Sequence, residues 1–362
     1  MSRKEESVRI STLRRSVAPV ASVALLVAVA APASARGDAT AAEHLVGPLT
    51  FDVTGDGSLV VGESFLGALT SVPRGGTPTH LVGPSPYDIA AVSVEANQVT
   101  YGQTTLGPDG FPVASSLMRL GRDGSPVQLA DLRAYEDGAN PDAVNTYGID
   151  LGTLTPECAA TVPPFLAGGP GRLDSHPYGS VTRGGVTYVA DAGSNNVLAV
   201  GRSGAVSTVA VLPAVTVPIT AEAAVAIGLD PCLVGASIAL EPVPTDVEVG
   251  PGGLLYVSTL PGGPEDGTLG ANGSVYTVNP RTGAVTLLAT GFAGATNVAV
   301  GPGGTVYVAE LFGGRISQIS PSGAVSTLRE VPAPAGLEVA GGRLYASVDV
   351  FGDGSIVSFP VP

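Results

Sequence analysis

Of 362 residues, none is tryptophan, one is lysine, two are cysteine and three are histidine, and charged residues make up only 13%. That scarcity narrows the chemistry. No Gly-x-Ser-x-Gly elbow, zinc-ligand spacing or phosphate-binding loop occurs, so those hydrolase, zinc and nucleotide classes lack their usual signatures. Beyond the N-terminus no apolar run reaches the roughly 20 residues a membrane span needs. Charge runs one way, with 31 acidic residues against 17 basic. A surface of that sign repels nucleic acid and anionic lipid, and suits cations, basic partners or plain solubility.

The N-terminus is the exception. Arg3, Lys4, Arg9, Arg14 and Arg15 form a basic segment, residues 17–30 an apolar one, and Ala33-Ser34-Ala35 a small-x-small cleavage site. This pattern predicts a secretory signal over 1–35 and a mature chain over 36–362 that is secreted, extracellular or cell-wall associated. Ser16-Val17-Ala18 continues poorly from the arginine pair as a twin-arginine signal, so ordinary export is expected. Removing the signal takes away five basic residues, including the lysine, and two acidic ones. The mature chain then has 12 basic and 29 acidic residues, a net charge of −17. Cys158 and Cys232 both fall between strand patterns, and in an exported chain a disulfide joining them is expected.

Glycine, at 50 residues, and proline, at 31, are abundant in a chain that is 44% hydrophobic. Because the apolar residues are periodic, the composition indicates turn-rich β structure and not disorder. Residues 243–289 and 295–328 show the same succession. Each has an alternating run (Val247, Val249; Val298, Val300), then Gly-Pro-Gly-Gly, then a second run (Leu255, Tyr256, Val257; Val306, Tyr307, Val308). A third run opens with glycine, and a proline-containing turn leads to a fourth. Four short strands joined by tight turns, repeated every 35 to 50 residues, define sheets that must stack to bury both faces.

The unit recurs at 47–82, 85–130, 176–211 and 334–362, giving six. The sixth lacks a fourth strand. His44-Leu45-Val46-Gly47-Pro48 ahead of the first unit matches His80-Leu81-Val82-Gly83-Pro84 at the end of it. The expected fold is therefore an all-β, six-bladed β-propeller with four-stranded antiparallel blades. Residues 40–46 complete the last blade and remove the exposed edges. It forms a single domain, a monomer, with insertions at 131–175 and 212–242.

In such a meander the two-to-three and four-to-one connections share one face. Every long segment here falls in that class: 131–175, 212–242, 104–115 and 260–272. The opposite class is tight throughout, as at Gly55-Asp56-Gly57 and Pro302-Gly303-Gly304. Loops gathered on one face of a rigid scaffold are where function usually sits. Within the insertions the helix signal is at 220–229, with Thr220 to cap and Gly228 to end it.

On that face the starts of first strands supply Asp52, Asp88, Asp246 and Asn297. The ends of second strands supply Glu63, Gln103, Asp191, Glu310 and Asp349. Converging carboxylates and amides are the oxygen ligands calcium takes, with Asp246, Asn297 and Glu310 as the candidate set. Such an ion could polarise a carbonyl for hydrolysis. The same residues also have a plain structural use, capping turns where strands leave the sheet. His176, which opens the third unit, would need a carboxylate such as Asp174 or Asp191 to serve as a general base; otherwise it orders the insertion. His44 and His80 fall on outer strands.

The segments HPYGSV…YVADAGSNNVLAV, EPVPTDVEVGPGGLLYVSTLPGGPEDGTLGANGSVYTVNP and TNVAVGPGGTVYVAELFGGRIS resemble the ScyD/ScyE family of exported bacterial proteins, which is similar to NHL-type propellers. The likeness spans nearly the whole mature chain and is most specific at 260–272. It implies a secreted propeller, and the family's founding members belong to the gene cluster for the sunscreen pigment scytonemin. It carries over no catalytic residue. The functional expectation is a binding or scaffold module that holds a ligand or protein on its loop-rich face. The alternative is a calcium-dependent hydrolase, such as a lactonase, that uses the acidic rim.

Overall fold

A computed structural model describes residues 37–264 and 266–361. The expected signal over 1–35 lies outside the described residues. Wherever the apolar period is two and a glycine or proline turn follows, the backbone is extended and paired antiparallel, and six four-stranded sheets result.

Sheet 1 holds Pro48–Val53, Leu59–Glu63, Ala68–Val72 and Thr79–Val82. Sheet 2 holds Asp88–Glu95, Gln98–Leu106, Pro112–Leu120 and Pro126–Asp131. Sheet 3 holds Pro177–Arg183, Val186–Asp191, Asn196–Gly201 and Val206–Val211. Sheet 4 holds Pro244–Val249, Leu255–Thr259, Gly273–Val278 and Val285–Phe292. Sheet 5 holds Ala295–Val300, Val306–Glu310, Arg315–Ile319 and Val325–Glu330. Sheet 6 takes Leu337–Ala340, Arg343–Val348 and Gly354–Pro360 from the C-terminus, and its fourth strand is Ala39–Leu45. That strand pairs antiparallel with the last one, Ala39 opposite Ser358 and Leu45 opposite Gly354.

Six apolar layers lie between successive sheets. Val60, Leu69, Ile89 and Tyr101 fill the layer between sheets 1 and 2; Leu117, Leu132, Val189 and Leu198 fill that between 2 and 3. The remaining layers follow in chain order, and Leu45, Phe51, Val61 and Ile356 fill the one between sheet 6 and sheet 1. First strands pack on one another in the same order, that of sheet 6 against that of sheet 1.

One position of the second strand shows how closely the sheets approach. Aligned by pairing register, it is Gly62, Gly102, Ala190, Ser258, Ala309 and Ser347, small in every sheet. A Cβ on Gly62 would stand 2.8 Å from the carbonyl oxygen of Ile89, and one on Gly102 2.9 Å from that of Pro177. The next sheet's first strand crosses there, and packing at interior density leaves no room.

Three features depart from expectation. Residues 104–115 are mostly a long hairpin, because pairing continues to Leu106 opposite Pro112. The insertions also build a seventh sheet of three strands, Gly148–Ile149, Ser237–Leu240 and Val215–Pro218. Helix Ala221–Ile227 is capped by Thr220 and ended by Gly228 in the left-handed region, as the sequence predicts. Helix Leu132–Ala139, capped by Asp131, departs from the sequence expectation; Asp137 and Gly138 weaken its propensity, and burial of Leu132 in the sheet 2/3 layer compensates. Cys158 and Cys232 form a disulfide with Cα atoms 5.9 Å apart. Around it, Ile149, Ile219, Leu229 and Leu233 make a small separate core.

Candidate functional site

The acids named from sequence fall into two positional classes, and both are heavily hydrogen-bonded. At the ends of second strands, a buried carboxylate ties down the connection that enters the sheet. Glu63 accepts from the Val46 N–H at 2.8 Å and from the Thr70 hydroxyl. Asp191 accepts from the Ser175 hydroxyl at 2.5 Å and the His176 N–H at 2.7 Å. Glu310 accepts from the Ala293 N–H at 2.8 Å, from the Ser317 hydroxyl, and from two nitrogens of Arg315 at 2.7 and 2.8 Å. Burial works to raise the Glu310 pKa, but Arg315, Ser317 and Ala293 outweigh it and hold the carboxyl below its usual range. In sheet 2, Gln103 simply stands opposite Ile89. Asp349 is exposed, in the turn with Gly352.

On first strands, the acid or amide staples one sheet to the next. Asp52 accepts from the Val94 N–H at 2.6 Å, Asp246 from the Val298 N–H at 3.0 Å, and Asn297 from the Leu337 N–H at 2.9 Å. Of the set expected to hold calcium, Asp246 and Asn297 thus carry hydrogen bonds between sheets, and Glu310 accepts from Arg315. Among the described residues, no three His, Cys, Asp or Glu side chains stand in metal-holding geometry.

The register also shows which acids share a level. Asp52 pairs opposite Val60, Glu248 opposite Tyr256 and Glu338 opposite Tyr345, equivalent positions in sheets 1, 4 and 6. Asp246, grouped with Asp52 from sequence, stands at a different level, opposite Ser258, while Glu248 and Glu338 are not in the sequence-based set. The same bulge lies between Pro48 and Thr50 and between Pro244 and Asp246, so it is not the cause. Counting back from the tight turns puts Asp52, Glu248 and Glu338 at one offset, which grouping residues by strand start hides. Burial pushes Asp52 up to about 6, against hydrogen bonds from Val94 and Val53. Asp246 rises to about 7 for the same reason, with the Asp52 charge adding to it. Glu248 is raised well above the ordinary range by burial and then by the charges of Asp246 and Asp52, and Glu338 by burial and then by Glu248, Asp52 and Asp246. Among the described residues, no Arg or His pairs with these four carboxylates.

His176 is the other focus. Its Nε2 lies 2.7 Å from Asp88 Oδ2, a pair that remains partly open to solvent. The partner is thus Asp88, from sheet 2, and neither Asp174 nor Asp191. Asp191 instead fixes the His176 backbone, and the ring edge meets Tyr178 at 6.3 Å. Burial acts to lower the His176 pKa; the Asp88 hydrogen bond and the charges of Asp88, Asp191 and Asp174 prevail and leave it raised. With Nε2 engaged, Nδ1 is the nitrogen left for proton transfer. His44, 2.9 Å from Asp353, is exposed on an outer strand, and His80 is at the Glu63 tie. A cavity of about 700 Å³ opens elsewhere, between the tight turn of sheet 1 and Arg343 of sheet 6. It lies at the opposite end of the strands from His176 and holds no acid–base pair.

Sheets of this order, packed through their first strands, are those of a β-propeller, and the chain is a β-propeller protein. No protein-family model and no curated protein matches it. Solved structures do. A PQQ-bound aldose sugar dehydrogenase from Streptomyces coelicolor is similar with a TM-score of 0.56 at 13% identity, over 90% of this chain and 97% of its own. A gluconolactonase from Xanthomonas campestris gives 0.53 at 11% identity, over 90% and 89%. A catalytically inactive virginiamycin B lyase from Staphylococcus aureus, solved with quinupristin, gives 0.51 at 13% identity, over 90% and 98%. At such identities the likeness concerns the fold.

Proposed function

We propose that the protein is an exported enzyme of the six-bladed propeller type, related to the ScyD/ScyE proteins, that acts on a small ester or lactone at its loop-bearing face. The six four-stranded sheets are the blades of one domain over 36–362, closed by the N-terminal strand, and the seventh sheet belongs to the insertions. The observation that carries the reading is the 2.7 Å Asp88–His176 pair. It is a solvent-touched acid–base couple where the first insertion enters sheet 3. Asp88 orients the imidazole and selects the tautomer with a basic Nδ1, which can take a proton from water as it attacks an acyl carbon and return that proton to the departing alkoxide oxygen as the acyl C–O bond breaks. The propeller gluconolactonase has the same architecture, which makes the ester and lactone class the first to test.

The test is turnover of a lactone and ester panel by the purified protein. His176→Gln should lower kcat by roughly 10²-fold or more, with Asp88→Asn lowering it less and the two together little beyond His176→Gln alone. Because the imidazole must be neutral, kcat should fall as pH drops through its raised pKa. A panel without turnover supports a second reading, a binding or scaffold module. That reading is favoured by the structural commitment of Glu63, Asp191, Asp246, Asn297 and Glu310.

A further inference from the structure

We propose that a divalent cation of the calcium type binds between the two insertions, held by Glu136, Asp142 and Glu241. Glu136, on helix Leu132–Ala139, is 1% exposed, and neither of its carboxylate oxygens has a hydrogen-bond partner. Asp142, in the following turn, is fully buried; its Oδ2 accepts from the Asn195 amide at 2.9 Å and the Tyr147 hydroxyl at 3.3 Å, while Oδ1 has no partner. Glu241 closes the second insertion and faces the same space. A Cβ on Gly171 would meet Asp142 Oδ2 at 2.6 Å and Glu241 Oε1 at 3.3 Å, so a side chain at 171 would fill the gap between the carboxylates.

Among the described residues, no cationic side chain is paired with Glu136, Asp142 or Glu241. Arg172, the nearest guanidinium in sequence, is spent 3.1 Å from Asp109 and stacked 3.6 Å over Phe111. Arg133 is paired with Asp137. Burial first, and then the charges of Asp142, Asp191 and Asp174, push the Glu136 carboxyl up to about 8. A buried carboxylate with no partner costs several kcal/mol unless it is neutralised. Carboxylate oxygens with amide and phenol neighbours are a hard-cation environment, and extracellular calcium modules work at about 10⁻⁴–10⁻³ M. In this structure the three groups are not drawn to a common ligating distance. Their mutual repulsion opposes that approach until a cation enters. The ion would join the same two insertions that Cys158–Cys232 joins.

Terbium(III) tests the site directly. The chain has no tryptophan, and Tyr147 touches Asp142, so excitation at the tyrosine band should sensitise terbium emission that calcium competes away. Calcium at about 100 times its Kd should raise Tm by roughly 5 °C over the chelated protein. Glu136→Gln and Asp142→Asn should each abolish both responses, yet leave Tm in chelator unchanged or higher, since each removes repulsion. Tyr147→Phe should lose the emission and keep the calcium-induced shift. Glu338→Gln, which alters only the first-strand acids, should change neither. The proposal is overturned if calcium leaves Tm unmoved and terbium stays dark. It is equally overturned if the responses persist in Glu136→Gln and Asp142→Asn but vanish in Glu338→Gln.

Discussion

Replacing Asp246 by asparagine should stabilise the protein at alkaline pH and leave it unchanged in acid. Asp246 is 3% exposed and accepts the Val298 N–H at 3.0 Å. In the next sheet the equivalent position is already an amide, Asn297, which accepts the Leu337 N–H at 2.9 Å. An asparagine can therefore keep the bond between sheets and dispense with the charge. Burial raises the Asp246 pKa from 3.8 to about 7, and at about 1.4 kcal/mol per pH unit that difference is a penalty of roughly 4 kcal/mol on the ionised form. Part of it passes to Asp52, Glu248 and Glu338, which reionise once Asp246 is neutral, leaving a net gain of about 2 kcal/mol. The folded chain binds this proton more tightly than the unfolded one. Stability from Asp246 is therefore greatest below pH 3.8, falls as pH rises toward 7, and is level above. Urea unfolding at pH 4, 5.5 and 8 measures the effect. Asp246→Asn should match the parent at pH 4, exceed it by about 2 kcal/mol at pH 8, and show a shallower slope between. Equal destabilisation at all three pH values would refute the argument, because it would mean the second carboxylate oxygen supplies an acceptor that the amide cannot replace.

Other outcomes follow from the same geometry. Glu310→Ala should cost about 3–5 kcal/mol, since it strips Arg315, Ser317 and the Ala293 N–H of their shared acceptor; a Tm within a degree of the parent would contradict this. Gly102→Val should be destabilising by about 2–4 kcal/mol in denaturant unfolding, because its side chain would enter the Pro177 backbone, whereas Ala190→Gly should be far milder. The protein should resist thiol alkylation until it is reduced. Cys158→Ser should loosen the insertions in hydrogen exchange and leave the six sheets protected. Deleting residues 37–46 should expose Ile356 and the last strand's edge, and should promote aggregation measurable by light scattering.

The sequence by itself determined the six repeated meanders, the strand donated by the N-terminus to the last sheet, the disulfide and the capped helix at 221–227. Each depends on local information: a period of two, a glycine turn, two cysteines, a cap residue. The acids at strand ends were also visible, because the repeat places them at fixed offsets. What tertiary structure decided was their use. Whether a carboxylate is free, paired or stapling depends on the backbone it meets in a neighbouring sheet, and no offset reveals that Glu310 faces Arg315 or that Asp88 of one sheet reaches His176 of the next. Asp52, Glu248 and Glu338 stand at one level, at the same offset ahead of their tight turns, which grouping residues by strand start hides. The cluster at Glu136, Asp142 and Glu241 comes from two insertions without repeat or period, joined by a small sheet and a disulfide. Only the folded chain brings those charges into one space, because burial and long-range contact set their energies.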